Sequence, residues 1–522
     1  MESDLRKSNG EKRSVVAEPP VRHPLPKGAA LPALDDATRA DIHQEVEELM
    51  SSTGPFDADV IVIGSGPGGY VCAIRVAQLG GRVICIEKTA KEWGGVCLNW
   101  GCIPTKAMIA SVERLHHVKE AAKMGITVGG EVGFDFGKIM ERKEKVVATL
   151  RGGVQSLLKS NHVKLVLGHG RLDGPNKVEV TAEDGSKQSF TSANIILATG
   201  SAPIIPPIPG LEGPGIWTSD NAVTAGSVPA RMVLIGAGAV GLEFAYVFNG
   251  LGTKCTVVEM MGEVLPLADS DVAAELRKSL TRQGIQFMLS SKVSKVERGG
   301  SGLSVSVSGE KGDSVVECDV VLVGAGRRPV TAGLGLEAVG VTVEKNRIPV
   351  DDFLRTNIPS IYAIGDVTGK MLLAHLASHQ GVAAAENAMG HETKMDYRAV
   401  PSPVFTEPEL ATVGLSEKEA REAGYDVVCG KFPFRPLGKA MAINQQEGLV
   451  KIVSERKYGE VLGMHIVGPH ASDLIHEGVT AIKLESTVEE LMTMIHAHPT
   501  LAEAMLEAAL DVKGEAIHKV KT

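Results

Sequence analysis

The chain has 522 residues, of which 43% are hydrophobic and 22% charged, with a formal net charge of −9. That length predicts three or four domains rather than one, and the apolar share describes a globular protein with ample core. The acidic balance argues against nucleic acid or an anionic membrane as partner, and no apolar run of about 18 residues is present to span a bilayer.

Residues 1–56 differ from the rest. MESDLRKSNGEKRSVVAEPPVRHPLPKG is polar, Pro-bearing and without period, so it reads as a disordered extension. It mixes acids with bases and lacks an apolar stretch, unlike a secretory signal or a transit peptide. DDATRADIHQEVEELMSS, residues 35–52, could form one amphipathic helix, as a solvated tail or as a docking arm.

From Val60 the pattern becomes informative. An apolar strand enters Gly64-Ser-Gly66-Pro-Gly-Gly69, a helical stretch follows from Tyr70 to Leu79, and RVICIE ends at Glu87. Gly64 suits the tight turn, Gly66 lets backbone approach a pyrophosphate, and Gly69 permits close helix–strand packing. The helix N-terminus offers amide groups to the phosphates, and Glu87 can accept ribose hydroxyls. The unit recurs at RMVLIGAGAVGLEFAYVFNGLGTKCTVVE, with Gly236, Gly238, Gly241 and a closing Glu259. One GxGxxG is weak evidence, but two in full strand–helix–strand context are strong. Glu259 is followed by Met260-Met261 rather than arginines, which favours NAD over NADP there.

Between and after these units, ANIILATGSAP ends a strand at Thr199-Gly200-Ser201, and SIYAIGDVTG ends one at Gly365-Asp366. Both suit a flavin domain interrupted by a nicotinamide domain. Taken alone, each is equally well a plain β-turn.

Seven cysteines in such a chain are no disulfide scaffold. Cys72, Cys85, Cys255, Cys318 and Cys429 lie singly and read as bystander thiols. Cys97 and Cys102, in GGVCLNWGCIPTK, form the local pair. A staple across so short a loop would add only about 2 kcal/mol, which a core of this size does not need. A metal site would want a second cluster, and none is present. His116-His117 comes nearest, yet adjacent residues on a helix face different directions. Five helical residues rise ~7.5 Å, beyond the ~7 Å reach of a disulfide, so a bonded pair needs a distorted turn, which Gly94, Gly95 and Gly101 allow. The reading is a working redox pair in a reducing compartment, hence a cytoplasmic protein. No metal is expected.

Near the C-terminus, His498 precedes Pro499, which disfavours helix at His498 and lets Pro499 open the next helix. Glu503 then falls in the first turn of that helix, within reach of the imidazole. A dithiol must lose a proton before it attacks a disulfide, and His is the base tuned for that near neutral pH. Thr500-x-x-Glu503 is also a capping box, and the two readings are compatible. His496 reads as structural.

GGVCLNWGCIPTKA, the two Gly motifs, GAGRRP at 324–329, IYAIGD, FTEPELATVG at 405–414 and HAHPTLAE at 496–503 together resemble the pyridine nucleotide–disulfide oxidoreductases, most closely the dihydrolipoamide dehydrogenase branch. The resemblance runs from about residue 57 to the C-terminus. It implies an α/β fold with two Rossmann-like domains, for FAD and NAD, and an α+β C-terminal dimerisation domain. The implied boundaries are 57–203 and 332–400 for FAD, 204–331 for NAD and 401–522 for dimerisation. It makes Cys97 the interchange thiol and Cys102 the thiolate facing the flavin. It places Lys106 beside the flavin, paired with Glu243 of the NAD-domain helix. It also carries Gly170, Thr199, Gly200, Ser201, Asp366, Met371, Ala374 and His375 to FAD, and Gly326 to NAD. His498 and Glu503 would come from the other subunit of a homodimer. Implied partners are lipoyl domains of a 2-oxo-acid dehydrogenase complex or a glycine-cleavage system. Rivals are a glutathione-type reductase, which wants basic residues at Glu259-Met260-Met261, and a mercuric reductase, which wants a cysteine pair beyond Cys429. A mainly complex-docking flavoprotein component is the rival from another class.

Overall fold

The protein is described by a computed structural model covering residues 55–300, 302–310 and 312–520. The polar extension expected over 1–56, with its helix at 35–52, lies outside the described residues apart from Pro55 and Phe56.

Four apolar positions, Val60 to Ile63, are buried, as a parallel strand covered on both faces requires. The strand Ala58–Ile63 pairs in parallel with Val83–Glu87 on one side and with Lys187–Leu197 on the other. Lys164–Leu167 and Ile361–Ala363 extend the parallel part outward. The first half of Lys187–Leu197 instead joins an antiparallel meander with Lys177–Thr181 and His169–Gly174. Helix Pro67–Gln78 crosses helix Ala374–Ala388 at close range. A Cβ on Gly381 would lie 2.4 Å from the Gly68 carbonyl oxygen, so glycine permits that approach.

A second parallel sheet runs Gln286–Met288, Lys254–Val258, Arg231–Ile235, Val320–Val323, Ile216–Trp217. A three-stranded antiparallel meander, Ser291 to Cys318, stands beside it. Ser201–Pro203 pairs with Arg327–Pro329, so the two polypeptide crossings between the parallel sheets form one two-stranded ribbon. The final sheet is antiparallel, in the order Ser402–Val404, Glu409–Gly414, Val461–Gly468, Leu449–Glu455, Val427–Pro433. Helices Ala471–Lys483 and Glu503–Val512 pack over it around Phe432, Met464 and Ile475.

Local readings shift at their edges. The first helix begins at Pro67 rather than Tyr70, because Pro suits the first helical turn. The helix expected from Pro499 begins at Glu503. Thr500 gives its hydroxyl hydrogen to the Ala497 carbonyl instead of capping a helix, so the intervening residues form a turn. Among the described residues no helix is long and apolar enough to cross a membrane.

The second and final sheets are tied by a buried cation. Lys451, 1% exposed, bonds both Asp269 oxygens at 3.0 and 2.9 Å, Asp271 at 2.6 Å and Glu417 at 2.8 Å. Removing it leaves the buried Asp269 carboxylate without its cation, while Asp271 keeps Lys431 and Glu417 keeps Arg421. Lys451→Met is therefore expected to cost about 3–5 kcal/mol of unfolding free energy, read by denaturant titration; an unchanged midpoint would refute the latch.

Candidate functional site

The two Gly motifs fold alike. Gly64 and Gly236 both have φ of +101°, where a side chain would be strained. A Cβ on Gly69 would sit 1.9 Å from the Gly64 oxygen, and one on Gly241 would sit 2.1 Å from the Gly236 oxygen. Gly66 and Gly238 differ in kind. A Cβ on Gly66 would meet nothing nearer than Gly95 at 4.0 Å, and one on Gly238 no atom within 4 Å, so this face of each loop stays open to a ligand. Helices Pro67–Gln78 and Ala239–Gly250 start there with no side-chain cap and no acid in the first turn. Their free amide groups and positive dipole ends suit a pyrophosphate.

Each motif is closed by its acid. Glu87 Oε2 accepts from the Ser65 amide at 2.8 Å and hydroxyl at 2.7 Å, and Oε1 accepts from the Lys88 amide at 2.7 Å. Glu259 Oε2 accepts from the Ala237 amide at 2.7 Å and Oε1 from the Met261 amide at 2.9 Å. Carboxylate oxygens carry two lone pairs each, so both acids keep capacity for a ribose hydroxyl. Burial raises the Glu87 carboxyl above its ordinary range.

The cysteine segment rests on the first motif. The Gly94 amide donates to the Ser65 carbonyl at 3.1 Å, and a Cβ on Gly95 would fall 2.5 Å from the Gly66 Cα. Cys97 lies in a short helix, Gly95–Asn99, which breaks at Trp100 and Gly101. Cys102 then opens the long helix Cys102–Lys119. The expected distorted turn is this break. Both cysteines are free thiols. A hydrogen bond from Cys97 holds the Cys102 thiol below its ordinary range, against the opposing effect of burial and with help from the Lys106 charge. The same bond pushes Cys97 up. The two sulfurs are thus unequal, with Cys102 the more readily ionised of the pair.

Lys106 lies one turn beyond Cys102. Its Nζ sits 2.9 and 2.8 Å from the two Glu243 oxygens and 4.3 Å from the Phe405 ring centroid. The Phe405 amide donates to Glu243 Oε1 at 3.1 Å. Sequence reasoning singled out Lys106 and Glu243 but missed Phe405. Its signal is its place in FTEPELATVG, which says nothing of a cation.

Around the open side of the first motif, Asp366 Oδ2 accepts from the Ser201 hydroxyl at 2.5 Å, leaving Oδ1 unengaged by any described hydrogen bond. Burial raises its carboxyl. Arg327, also missed, donates to the Ser201 hydroxyl and carbonyl, both at 2.8 Å. Thr199 gives its hydroxyl hydrogen to the Val330 carbonyl at 2.7 Å, and Gly200 takes φ of +69°. Ala374 opens a helix with no side-chain cap, His375 Nε2 lies 2.8 Å from the Pro401 carbonyl, and Met371 is exposed. Gly170 packs against Ile63 and Ile86. Gly326, at φ +108°, follows the loop in which Gly324 abuts Gly241.

His498 Nδ1 lies 2.8 Å from Glu503 Oε1, and Glu503 Oε2 accepts from the Thr500 amide at 2.8 Å. That is half of the capping box, and it steers the carboxylate toward the ring. The His498 side chain is 77% exposed, and no described hydrogen bond or ion pair joins it to either cysteine. His496 is held by Glu477 at 3.1 Å. Cys72, Cys85, Cys255 and Cys318 are buried, whereas Cys429 is half-buried. Among the described residues no group of His, Cys, Asp and Glu is arranged to hold a metal ion.

Residues 58–381 match the pyridine nucleotide-disulphide oxidoreductase family and residues 400–509 its dimerisation domain. A dihydrolipoyl dehydrogenase from Thermus scotoductus is 45% identical over 465 residues, covering 88% of this chain and 98% of that protein. The mitochondrial dihydrolipoyl dehydrogenase 1 of Arabidopsis thaliana is 41% identical over 474 residues, covering 90% and 93%. The crystal structure of LpdA from Mycobacterium tuberculosis superposes with a TM-score of 0.79 at 30% identity, over 86% of this chain and 98% of that one.

The closing acid of the second motif generates a test. Glu259→Arg replaces an acceptor for a ribose hydroxyl with a cation, so kcat/KM should shift from NAD toward NADP. Wild-type protein preferring NADP would overturn that assignment.

Proposed function

The chain belongs to the pyridine nucleotide-disulphide oxidoreductase family, and on that premise we propose that it is a dihydrolipoyl dehydrogenase, oxidising protein-bound dihydrolipoyl groups with NAD. The observation that carries the reading is an unequal thiol pair on a helix N-terminus, backed by Lys106–Glu243, in a chain with two open dinucleotide loops.

Gly64, Gly66, Gly69 and Glu87 would hold the adenine half of FAD, and Ser201 with Asp366 a polyol hydroxyl. Gly236, Gly238, Gly241 and Glu259 would hold NAD. When bound, FAD supplies a two-electron carrier between a thiolate and the nicotinamide. The remaining steps belong to the protein. His498 of the partner subunit takes a proton from the first dihydrolipoyl thiol, and Glu503 bonded to its far nitrogen supports the imidazolium. That thiolate attacks Cys97 Sγ in the Cys97–Cys102 disulfide, and Cys102 leaves as thiolate beside Lys106. The second substrate thiol, deprotonated in turn, attacks the mixed disulfide. Lipoyl disulfide departs and Cys97 regains a proton. The substrate loses two electrons and two protons, and NAD gains a hydride.

The exposed His498 supports assembly as a homodimer through the C-terminal sheet, since a general base needs a cysteine pair within reach. Lipoyl domains of a 2-oxo-acid dehydrogenase complex or a glycine-cleavage system are the partners in this reading, and the compartment is the cytoplasm.

Two results are expected. His498→Gln lowers kcat about 10²- to 10⁴-fold with the flavin spectrum intact. Mixing His498→Gln with Cys97→Ser subunits, each inactive alone, restores turnover in heterodimers; no rescue would place the base in the same chain. Separately, Lys106→Met raises the pH at which the thiolate–flavin absorbance of the reduced enzyme appears, because the cation favouring thiolate is gone. An unchanged midpoint would remove Lys106 from that role.

A further inference from the structure

The carboxylate of Glu407 lies where three parts of the chain meet. His116 Nδ1 is 3.1 Å from its Oε2, and His117 Nε2 is 3.4 Å from its Oε1. The adjacent histidines were expected to face apart, yet their long side chains converge on one acid. The Tyr246 hydroxyl donates to Oε2 at 3.0 Å and the Gln445 amide to Oε1 at 3.4 Å. Gln283 donates to the Glu407 carbonyl at 2.6 Å.

His116, His117 and Tyr246 lie on the two helices that carry the ion pair behind Cys102. His116 and His117 end the helix of Lys106, and Tyr246 follows Glu243 by one turn on the same helix face. Glu407 itself stands two residues beyond Phe405, which bonds Glu243 through its amide and Lys106 through its ring. The segment Phe405–Glu407 therefore grips both helices twice, once at the ion pair and once three turns further along the cysteine helix.

We propose that Glu407 is a positioning residue that keeps Lys106 against Glu243 behind Cys102, and that the charge on His116 tightens its hold. This rests on the redox reading above. Facing His116 are Glu407, Glu120 at 3.4 Å and His117; facing Glu407 are both histidines, Tyr246 and Glu113. Glu113 is also influenced by Glu409 and Arg114. Hydrogen bonding to Glu407 raises the His116 imidazole above its ordinary value despite burial. Burial alone would raise the Glu407 carboxyl, but His116, Tyr246 and His117 together outweigh it and hold it low. A raised His contributes fully below about pH 6.5 and loses its contribution as pH climbs through the folded value. A lowered Glu contributes above its ordinary value and loses its contribution as pH falls through the folded one. The grip is ionic between those limits.

The test uses the flavin-loaded homodimer, reduced by two electrons, with the thiolate–flavin absorbance followed against pH. A loosened grip lets Lys106 drift, so Glu407→Gln should move the acid midpoint upward. His116→Gln should move it less, and the double variant no further than Glu407→Gln. By NMR, the His116 titration should fall toward the ordinary value in Glu407→Gln. A melting temperature that drops while the midpoint stays in place would make Glu407 a mere joint and overturn the proposal. The His116 side chain is 37% exposed, so His116→Gln decides the matter if Glu407→Gln does not fold: an unmoved midpoint refutes the proposal. Absence of the absorbance in wild type would sink the redox reading as well, whereas a normal band that no variant moves sinks this inference alone.

Discussion

The site depends on one ion pair. Lys106 and Glu243 come from different helices, and Phe405 of the final domain closes over both with its amide and its ring. With Glu243 only 8% exposed, the pair works in a medium where a charge carries further than in water. The cation lies one turn from Cys102, so it acts on that sulfur and not equally on Cys97. Asymmetry between two chemically identical thiols is what makes the pair directional; its largest cause is the local bond between them, and the Lys106 charge adds to it.

A second constraint is steric. Both dinucleotide loops need a first glycine at φ +101° and a later glycine whose Cβ would overlap the loop's own carbonyl. The glycines fix the course of each loop, and each leads into a helix end with no side-chain cap. The first loop has an added duty: the cysteine turn lies backbone to backbone against it at Gly95 and Gly66. The first glycine loop and the thiol turn are consequently in direct backbone contact, which fixes the spacing between them.

Apart from what the family resemblance supplied, such as the Lys106–Glu243 pair, legibility followed sequence distance. The strand–glycine–helix–strand units are local, so spacing and residue type sufficed to place Gly64, Gly236, Glu87 and Glu259. His498 and Glu503 were legible as a pair for the same reason, being one short turn apart. Phe405, Arg327 and Glu407 were not, because each acts on a residue more than a hundred positions away and none has a chemistry that announces its partner. The helix start at Glu503 rather than Pro499 was missed because a threonine hydroxyl bonding backward competes with helix.

By itself the sequence determined the local units: two strand–glycine–helix–strand motifs, a thiol pair five residues apart and a histidine next to its carboxylate. These rest on steric and acid–base rules that operate within a few residues. Tertiary structure alone decided that Phe405 closes over the Lys106–Glu243 pair, that Arg327 holds Ser201, and how Glu407 joins helices from separate parts of the chain. Those outcomes are set by distance and burial, and neither quantity exists until the sheets have packed.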